Sequence, residues 1–184
     1  VTTKRLALVE AIETALRRSG ASGDVGVLGC EPVALPSIIA RRAATCDAVL
    51  LSNDLRDDDT TFHNAVHGTL FDSPTGVILN ATSKKDALSP ANVFVAWDTG
   101  RPAARAVHVA LPVLKEAAEV TIGIFDPVTS PERDGDNPGS DVARWLSHHG
   151  CNVTVQQYPS GGEEIGKCIL RRSAETGVDL VVMG

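Results

Sequence analysis

The chain has 184 residues, enough for one large domain or two small ones, and its 43% hydrophobic and 22% charged residues are typical of a globular protein. Its net charge of −6 argues against nucleic-acid binding, because neutralising phosphates requires a clustered basic face. The four cysteines contain no CxxC pair, which argues against a zinc site. The sequence shows no signal-peptide pattern and no apolar run near the ~20 residues of a membrane span, so we expect a cytoplasmic protein.

Helical and strand patterns alternate along the first half of the chain. Apolar residues at helical spacing predict three helices, at 6–16, 35–46 and 60–71. Gly20 is the expected C-cap of the first helix. Short apolar runs predict three strands, at 25–28, 48–51 and 76–79.

The same alternation restarts after residues 82–91, a segment that we predict to be a linker. Apolar runs predict four further strands, at 93–97, 120–125, 153–157 and 180–183. Helical spacing predicts three helices, at 102–117, 140–149 and 165–172. Pro112 lies inside the first of these helices and is expected to kink or split it.

Alternation of this kind predicts parallel strands joined by right-handed crossovers, which is an open, doubly wound α/β sheet. Two stretches also resemble each other, Ile39-Ala-Arg-Arg-Ala-Ala and Ile169-Leu-Arg-Arg-Ser-Ala, and each precedes a predicted strand. This repeat predicts two related lobes, 1–81 and 92–184, each of them incomplete. Either the chain lacks segments of a longer natural protein, or the two incomplete lobes share one sheet.

Candidate ligand-binding residues lie at two predicted strand ends of the second lobe. In a sheet with strand order 3-2-1-4-5, ligands bind between the carboxyl ends of the first and fourth strands, which here end at Asp98 and Gly184. Asp98-Thr99-Gly100 precedes a helix start that can receive an anion. The Asp98 carboxylate suits a ribose hydroxyl or a metal-bridged phosphate, and capping the following helix is an equally good interpretation. A glycine at 184 lets backbone N–H groups approach a phosphate.

The second lobe resembles a universal stress protein domain. Val93-Phe-Val-Ala-Trp-Asp-Thr-Gly-Arg-Pro-Ala-Ala-Arg-Ala-Val is similar to the family's opening strand, which ends in Asp-Gly-Ser before an Ala-rich helix. Asp179-Leu-Val-Val-Met-Gly is similar to the family's fourth strand. The resemblance covers about 92–184, and 1–81 resembles a degenerate copy, as in tandem-domain members. It implies an adenine nucleotide alpha hydrolase-like fold and a non-catalytic, homodimeric stress-response module in the cytoplasm.

In nucleotide-binding members of the family, the resemblance implies, ATP with Mg²⁺ occupies the crevice between these strand ends. Asp98 would contact the nucleotide, Ile124 or Phe125 would meet the adenine, and Gly184 would begin a Gly-x2-Gly-x9-Gly-Ser/Thr phosphate loop. Thr99 and Gly100 stand where the family has Gly-Ser. In the first lobe, the aspartates at 57–59 should repel phosphates, so we expect no nucleotide there.

Other motifs favour structural interpretations. Ser160-Gly161-Gly162 resembles the Ser-Gly-Gly of PP-loop ATP pyrophosphatases, but it follows the third strand of the lobe rather than the first, so we predict a tight turn. His63 and His67 stand four apart, a metal-compatible spacing for which a solvated helix face is the favoured interpretation. The cysteines are interpreted as small buried hydrophobic residues. Two alternatives to a stress-response module stay open: a nucleotide-hydrolysing or nucleotidyl-transferring enzyme of the same superfamily, and a ligand-free structural dimer.

Overall fold

A computed structural model describes residues 2–81 and 89–184, so residues 82–88 of the predicted linker lie outside the described part of the chain. The helices are α1 (Thr2–Ser19), α2 (Leu35–Ala43), α3 (Asp59–Leu70), α4 (Arg101–Glu116), α5 (Ser140–His148) and α6 (Ile165–Thr176). The strands are β1 (Ala48–Ser52), β2 (Gly76–Ala81), β3 (Asn92–Ala96), β4 (Glu119–Phe125), β5 (Val153–Tyr158) and β6 (Leu180–Val182). Short 3-10 turns cover Pro32–Ala34 and Asn53–Asp57.

The described strands form two parallel sheets. β1 and β2 pair with each other, and a separate four-stranded sheet has the order β5-β4-β3-β6. Every strand pair in both sheets is parallel, which confirms the predicted α/β fold class. Counted within the second lobe, the order is 3-2-1-4. The alternative in which both lobes share one sheet is wrong for the described residues, because no ladder joins β1 or β2 to the four-stranded sheet.

Helices cover both faces of the four-stranded sheet. Successive side chains of a strand point to opposite faces, so each strand contributes to both packed layers. Val93 and Val95 point to one face, where they join Val107 of α4 and Leu146 of α5 in the main core. Phe94 points to the other face. There Tyr158 lies 6.2 Å from the Phe94 ring, centroid to centroid, and Arg172 of α6 lies over the Tyr158 ring at 5.0 Å. The sheet is therefore doubly wound, as predicted.

The predicted strand at 25–28 is wrong, since residues 21–31 adopt neither helix nor strand. Val27 and Leu28 are 58% and 39% exposed, so much of this apolar run is open to solvent instead of lying in a sheet. A four-residue apolar run becomes a strand only where a neighbouring strand completes its hydrogen bonds, and the glycines at 23, 26 and 29 further weaken the extended state. The helix expected at 35–46 is also shorter, ending at Ala43.

Pro112 does not split α4, which continues from Arg101 to Glu116. A proline removes the hydrogen bond to the carbonyl four residues earlier, here that of His108. Both Pro112 and His108 are exposed, so that carbonyl lies on the solvent side of the helix, where water can replace the missing donor. Of the two expected effects of Pro112, a kink or a split, the split is therefore wrong.

Helix α4 also joins the second lobe to the first. Its buried residues Val107 and Leu114 pack against the four-stranded sheet, while Arg105 and Val109 contact the first lobe. The Arg105 guanidinium donates to the Leu70 carbonyl at 3.0 Å and to the Ser73 carbonyl at 3.5 Å. These carbonyls lie at and just beyond the C-terminus of α3, where a cation is favoured by the helix dipole. One helix therefore packs against both lobes.

A close contact between Phe94 and Gly123 generates a test of this packing. The Phe94 ring is fully buried and lies so close to Gly123 that an added Cβ would overlap it. We expect Gly123→Ala to lower the free energy of unfolding by about 1–3 kcal/mol, measured by urea denaturation, because the ring has no room to move.

Gly166→Ala is the matched control, because an added Cβ at this position in α6 meets no atom within 4 Å. We expect it to be neutral or to stabilise the protein by up to about 1 kcal/mol, since alanine is the better helix former. Equal stabilities of the two variants would contradict the packing of Phe94 over Gly123.

Candidate functional site

The strand ends that were predicted to be neighbours are neighbours. β3 and β6 pair in parallel with the register Val93↔Leu180, Phe94↔Val181 and Val95↔Val182. The segments that follow them, 97–100 and 183–184, therefore leave the sheet side by side at the carboxyl ends of the strands. This confirms the geometric basis on which the candidate site was predicted.

Gly184 lies directly against the first turn of α4. A Cβ added to Gly184 would overlap the backbone of Pro102 and of Ala103, so this close approach of two backbones requires glycine. Three segments consequently meet at the carboxyl ends of β3 and β6: the loop after β3, the N-terminus of α4 and Gly184.

Asp98 organises the loop between β3 and α4. Its Oδ1 accepts a hydrogen bond from the Gly100 N–H at 2.8 Å, which closes a turn around Thr99. Gly100 is the N-cap residue of α4, and no side chain caps this helix start. The interpretation of Asp98 as the helix cap is therefore wrong. The N–H groups of Arg101 and Ala103 in the first turn have no intrahelical acceptor, as at any helix start, and Pro102 has no N–H at all.

Thr99 has a left-handed backbone, with φ at +63°. Such a conformation is an outlier for a β-branched residue and costs on the order of 1–3 kcal/mol. The universal stress protein motif that this segment resembles has glycine at the corresponding position, where the conformation carries no steric penalty. The threonine therefore places backbone strain inside the candidate site.

Ile124 and Phe125, the two candidates for an adenine contact, point to opposite faces of the sheet. Ile124 is 3% exposed and packs in the main core beside Gly139, so its side chain cannot reach a ligand without opening the core. Phe125 is partly buried and stacks on Tyr158, with ring centroids 5.4 Å apart and planes inclined at 28°. Of the two side chains, Phe125 alone keeps an accessible surface.

The loops after β4 and β5 are tied together by Asp126, a residue that the sequence analysis missed. Its Oδ1 accepts from the Ser160 N–H at 2.9 Å, and its own N–H donates to the Tyr158 carbonyl at 3.0 Å. The Ser160 side chain and then its N–H lower the pKa of the Asp126 carboxyl. Asp126 has a left-handed φ of +46°, which Asp and Asn tolerate better than other non-glycine residues. Its position directly after a buried strand was the available signal.

The Ser160-Gly161-Gly162 segment forms the predicted turn. Gly161 and Gly162 have φ values of +64° and +86°, and the Glu163 N–H donates back to the Ser160 carbonyl at 3.2 Å. Glu163 then pairs with Arg171 at 3.0 Å, and this hydrogen bond lowers the pKa of the glutamate. The motif therefore forms the turn before the start of α6.

The two histidines at metal-compatible spacing have separate partners. His63 Nδ1 lies 3.0 Å from an Asp59 carboxylate oxygen, and His67 Nδ1 lies 3.5 Å from that of Asp72. Within residues 2–81 and 89–184, no group of three or more His, Cys, Asp and Glu side chains could hold a metal ion.

The cysteines divide into two classes. Cys151 and Cys168 are buried, as expected, and burial raises the pKa of both thiols, so they favour the protonated form. Cys30 and Cys46 are exposed, contrary to the prediction that all four are buried hydrophobic residues. Cys30 lies in the segment 21–31, which does not form the predicted strand. Cys46 follows the C-terminus of α2, which ends earlier than predicted, and no core covers either thiol.

Comparisons with known proteins are sparse. No protein-family model matches the chain, and no curated protein does. Among solved structures, it matches the crystal structure of a protein from the universal stress protein family of Burkholderia pseudomallei, with 18% sequence identity and a TM-score of 0.40, over 53% of this chain and 82% of the other. A match at this level says nothing about function, and the fold class rests on the parallel pairing described above. No helix among the described residues has the length and apolarity to cross a membrane.

Replacing Thr99 tests the strain at the site. We expect Thr99→Gly to stabilise the protein by on the order of 1 kcal/mol in urea denaturation, because relief of the left-handed strain exceeds the added entropy of the unfolded chain. The control is Thr129→Gly, an exposed loop threonine without a left-handed backbone, which should destabilise slightly. Destabilisation by both exchanges would refute the strain at Thr99.

The Asp126–Ser160 contact predicts an acid-dependent loss of stability. Because the fold lowers the pKa of Asp126 below its ordinary value of 3.8, its contribution is complete above that value and disappears as pH falls through the folded pKa. We expect Asp126→Asn to be less stable than wild type near pH 7, with the difference shrinking below about pH 4, in urea denaturation as a function of pH. Ser160→Ala, which keeps the N–H donor, should show a smaller effect of the same sign. A wild-type acid profile in Asp126→Asn would contradict this role.

Proposed function

We propose that the second lobe is a non-catalytic adenine-nucleotide-binding module of the universal stress protein type, which works as a homodimer in the cytoplasmic stress response. The observation that carries the proposal is that the Asp98 loop, the α4 N-terminus and Gly184 lie together at the carboxyl ends of β3 and β6. These are the segments that the sequence resemblance relates to the nucleotide crevice, and the strand order 3-2-1-4 is the order that the crevice requires.

The chemistry of this edge suits a phosphate. The first turn of α4 supplies N–H groups and the positive end of the helix dipole, without a side-chain cap competing for them. Gly184 brings the backbone after β6 into contact with the same turn, as a phosphate loop that begins there would require. Asp98 would hold a ribose hydroxyl or the Mg²⁺ that accompanies ATP, although its Oδ1 already accepts from Gly100.

The base-binding side would involve Phe125. This ring, stacked on Tyr158, offers an aromatic surface at the carboxyl end of β4. Ile124 would contribute its backbone alone, because its side chain is in the core. This pairing of a phosphate-binding helix start with an aromatic surface favours an adenine nucleotide over inorganic phosphate.

Binding without turnover is the favoured mode. Asp98 is exposed to water, and acid–base catalysts usually lie in clefts from which water is excluded. The thiols buried in this lobe, those of Cys151 and Cys168, have raised pKa values and are poor nucleophiles. Dimerisation is proposed through the sheet edges, since β5 and β6 each pair on one side within the described residues.

Calorimetry with Mg·ATP tests the proposal. We expect Asp98→Asn to weaken binding by about tenfold to a hundredfold, because a hydrogen bond to a charged group contributes about 1.5–3 kcal/mol. Asp24→Asn, which removes the same charge from an exposed position in the first lobe, should bind like wild type.

Three results would change the assignment. Unchanged affinity in Asp98→Asn would remove the site from this crevice. The absence of binding to the wild-type protein would favour the ligand-free dimer. Phosphate release that is lost in Asp98→Asn would favour the nucleotide-hydrolysing alternative.

A further inference from the structure

A recess lies at the carboxyl end of the four-stranded sheet, between α4 and α5. Its volume is about 240 Å³. The floor is apolar and consists of Ala104, Val107 and Val142, and the walls are the rings of Trp97, His108 and Trp145. Asp141 completes the lining. We call this recess the tryptophan groove, because both tryptophans of the chain line it.

Two of the aromatic walls of the tryptophan groove, His108 and Trp145, contact each other. The His108 and Trp145 rings meet edge to face with centroids 4.6 Å apart, and Trp145 also contacts the His149 ring at 4.3 Å. His149 Nδ1 in turn lies 2.8 Å from the Trp145 carbonyl, so the ring is anchored to its own helix. Trp97 follows β3 and packs on the edge of the main core. A ligand would therefore meet preformed aromatic surfaces rather than mobile side chains.

One carboxylate, that of Asp141, lies on the rim of the tryptophan groove. Among the described residues that line it, Asp141 is the one with a formal charge when histidine is neutral. Arg144 lies 3.4 Å from the Asp141 carboxylate, but the two side chains are 67% and 95% exposed, so this ion pair is weak and water-screened. An anion would be repelled by Asp141, and a bare inorganic cation would find no ligands on the apolar floor.

We propose that the tryptophan groove binds a small organic cation, such as a quaternary ammonium group on a short alkyl chain. The positive group lies against the electron-rich faces of Trp97 and Trp145 near Asp141, and its methyl groups contact Val107 and Val142. The recess is smaller than the 300–1,000 Å³ of typical drug-sized pockets, which restricts the ligand to a few heavy atoms. The groove adjoins the proposed nucleotide site through Trp97 and Ala104, but the two proposed ligands have opposite charges.

Intrinsic fluorescence tests the proposal without a label, because Trp97 and Trp145 are the two tryptophans of the chain. Choline is the probe, and its uncharged carbon isostere dimethylbutanol is the matched ligand. We expect a saturable fluorescence change with choline, and an affinity about twofold to thirtyfold higher than for the isostere, which is the range of a cation–π contribution. Equal affinities for the two ligands, or no saturable change with choline, would overturn the proposal.

Variants of the rim locate the cation. Asp141→Asn should weaken choline binding and leave dimethylbutanol binding unchanged, whereas Arg144→Gln removes only a weak, water-screened partner of the carboxylate and should leave choline binding nearly unchanged. Trp145→Leu should reduce the preference for choline while Trp97 still reports binding; if this variant does not fold, the surface exchange Asp141→Asn decides the question. Unchanged choline binding in Asp141→Asn, or displacement of choline by an anion, would overturn the assignment. Persistence of choline binding in Asp98→Asn separates this site from the nucleotide site.

Discussion

Strand β3 pairs in parallel on both sides, with β4 and with β6. The positions of the loops at the carboxyl ends of the strands depend on that inner position of β3. Its residues Val93, Phe94 and Val95 are at most 1% exposed, so both faces of the strand lie in packed core. A strand held by two ladders and two cores has no freedom to shift its register. The loop that follows β3 therefore emerges at a defined place beside Gly184 and the start of α4, and any ligand bound there depends on this register.

Helix α4 transmits that geometry to the rest of the molecule. One of its faces packs on the four-stranded sheet through Val107 and Leu114, and Arg105 reaches the end of α3 in the first lobe. Its first turn contacts Gly184, and the side facing α5 lines the tryptophan groove. The helix start at which we propose phosphate binding and the groove in which we propose cation binding thus belong to one helix. Binding in either recess can stabilise the same element by mass action.

The amino-acid sequence by itself determined the order and type of nearly all elements. Buried parallel strands require continuous apolar runs, and such runs placed β3, β4 and β6 within one or two residues of their observed bounds. The alternation of strands and helices was sufficient for the fold class, because right-handed crossovers leave few arrangements for such a chain. The sequence also predicted that the strands ending at Asp98 and Gly184 are parallel neighbours, since strand order in this class of sheet follows from topology rather than from side-chain detail.

The tertiary structure decided whatever depends on partners distant in the chain. The run at 25–28 has the composition of a strand but no neighbouring strand, and hydrogen-bonded pairing is non-local. Packing placed Ile124 in the core and left Phe125 accessible, and it turned the Asp98 carboxylate toward Gly100 rather than into the helix start. The tryptophan groove belongs to the same class, because Trp97 and Trp145 lie on different elements that only the folded sheet brings together. Local patterns specify elements, whereas contacts between elements are set by the shape and volume of the assembled core.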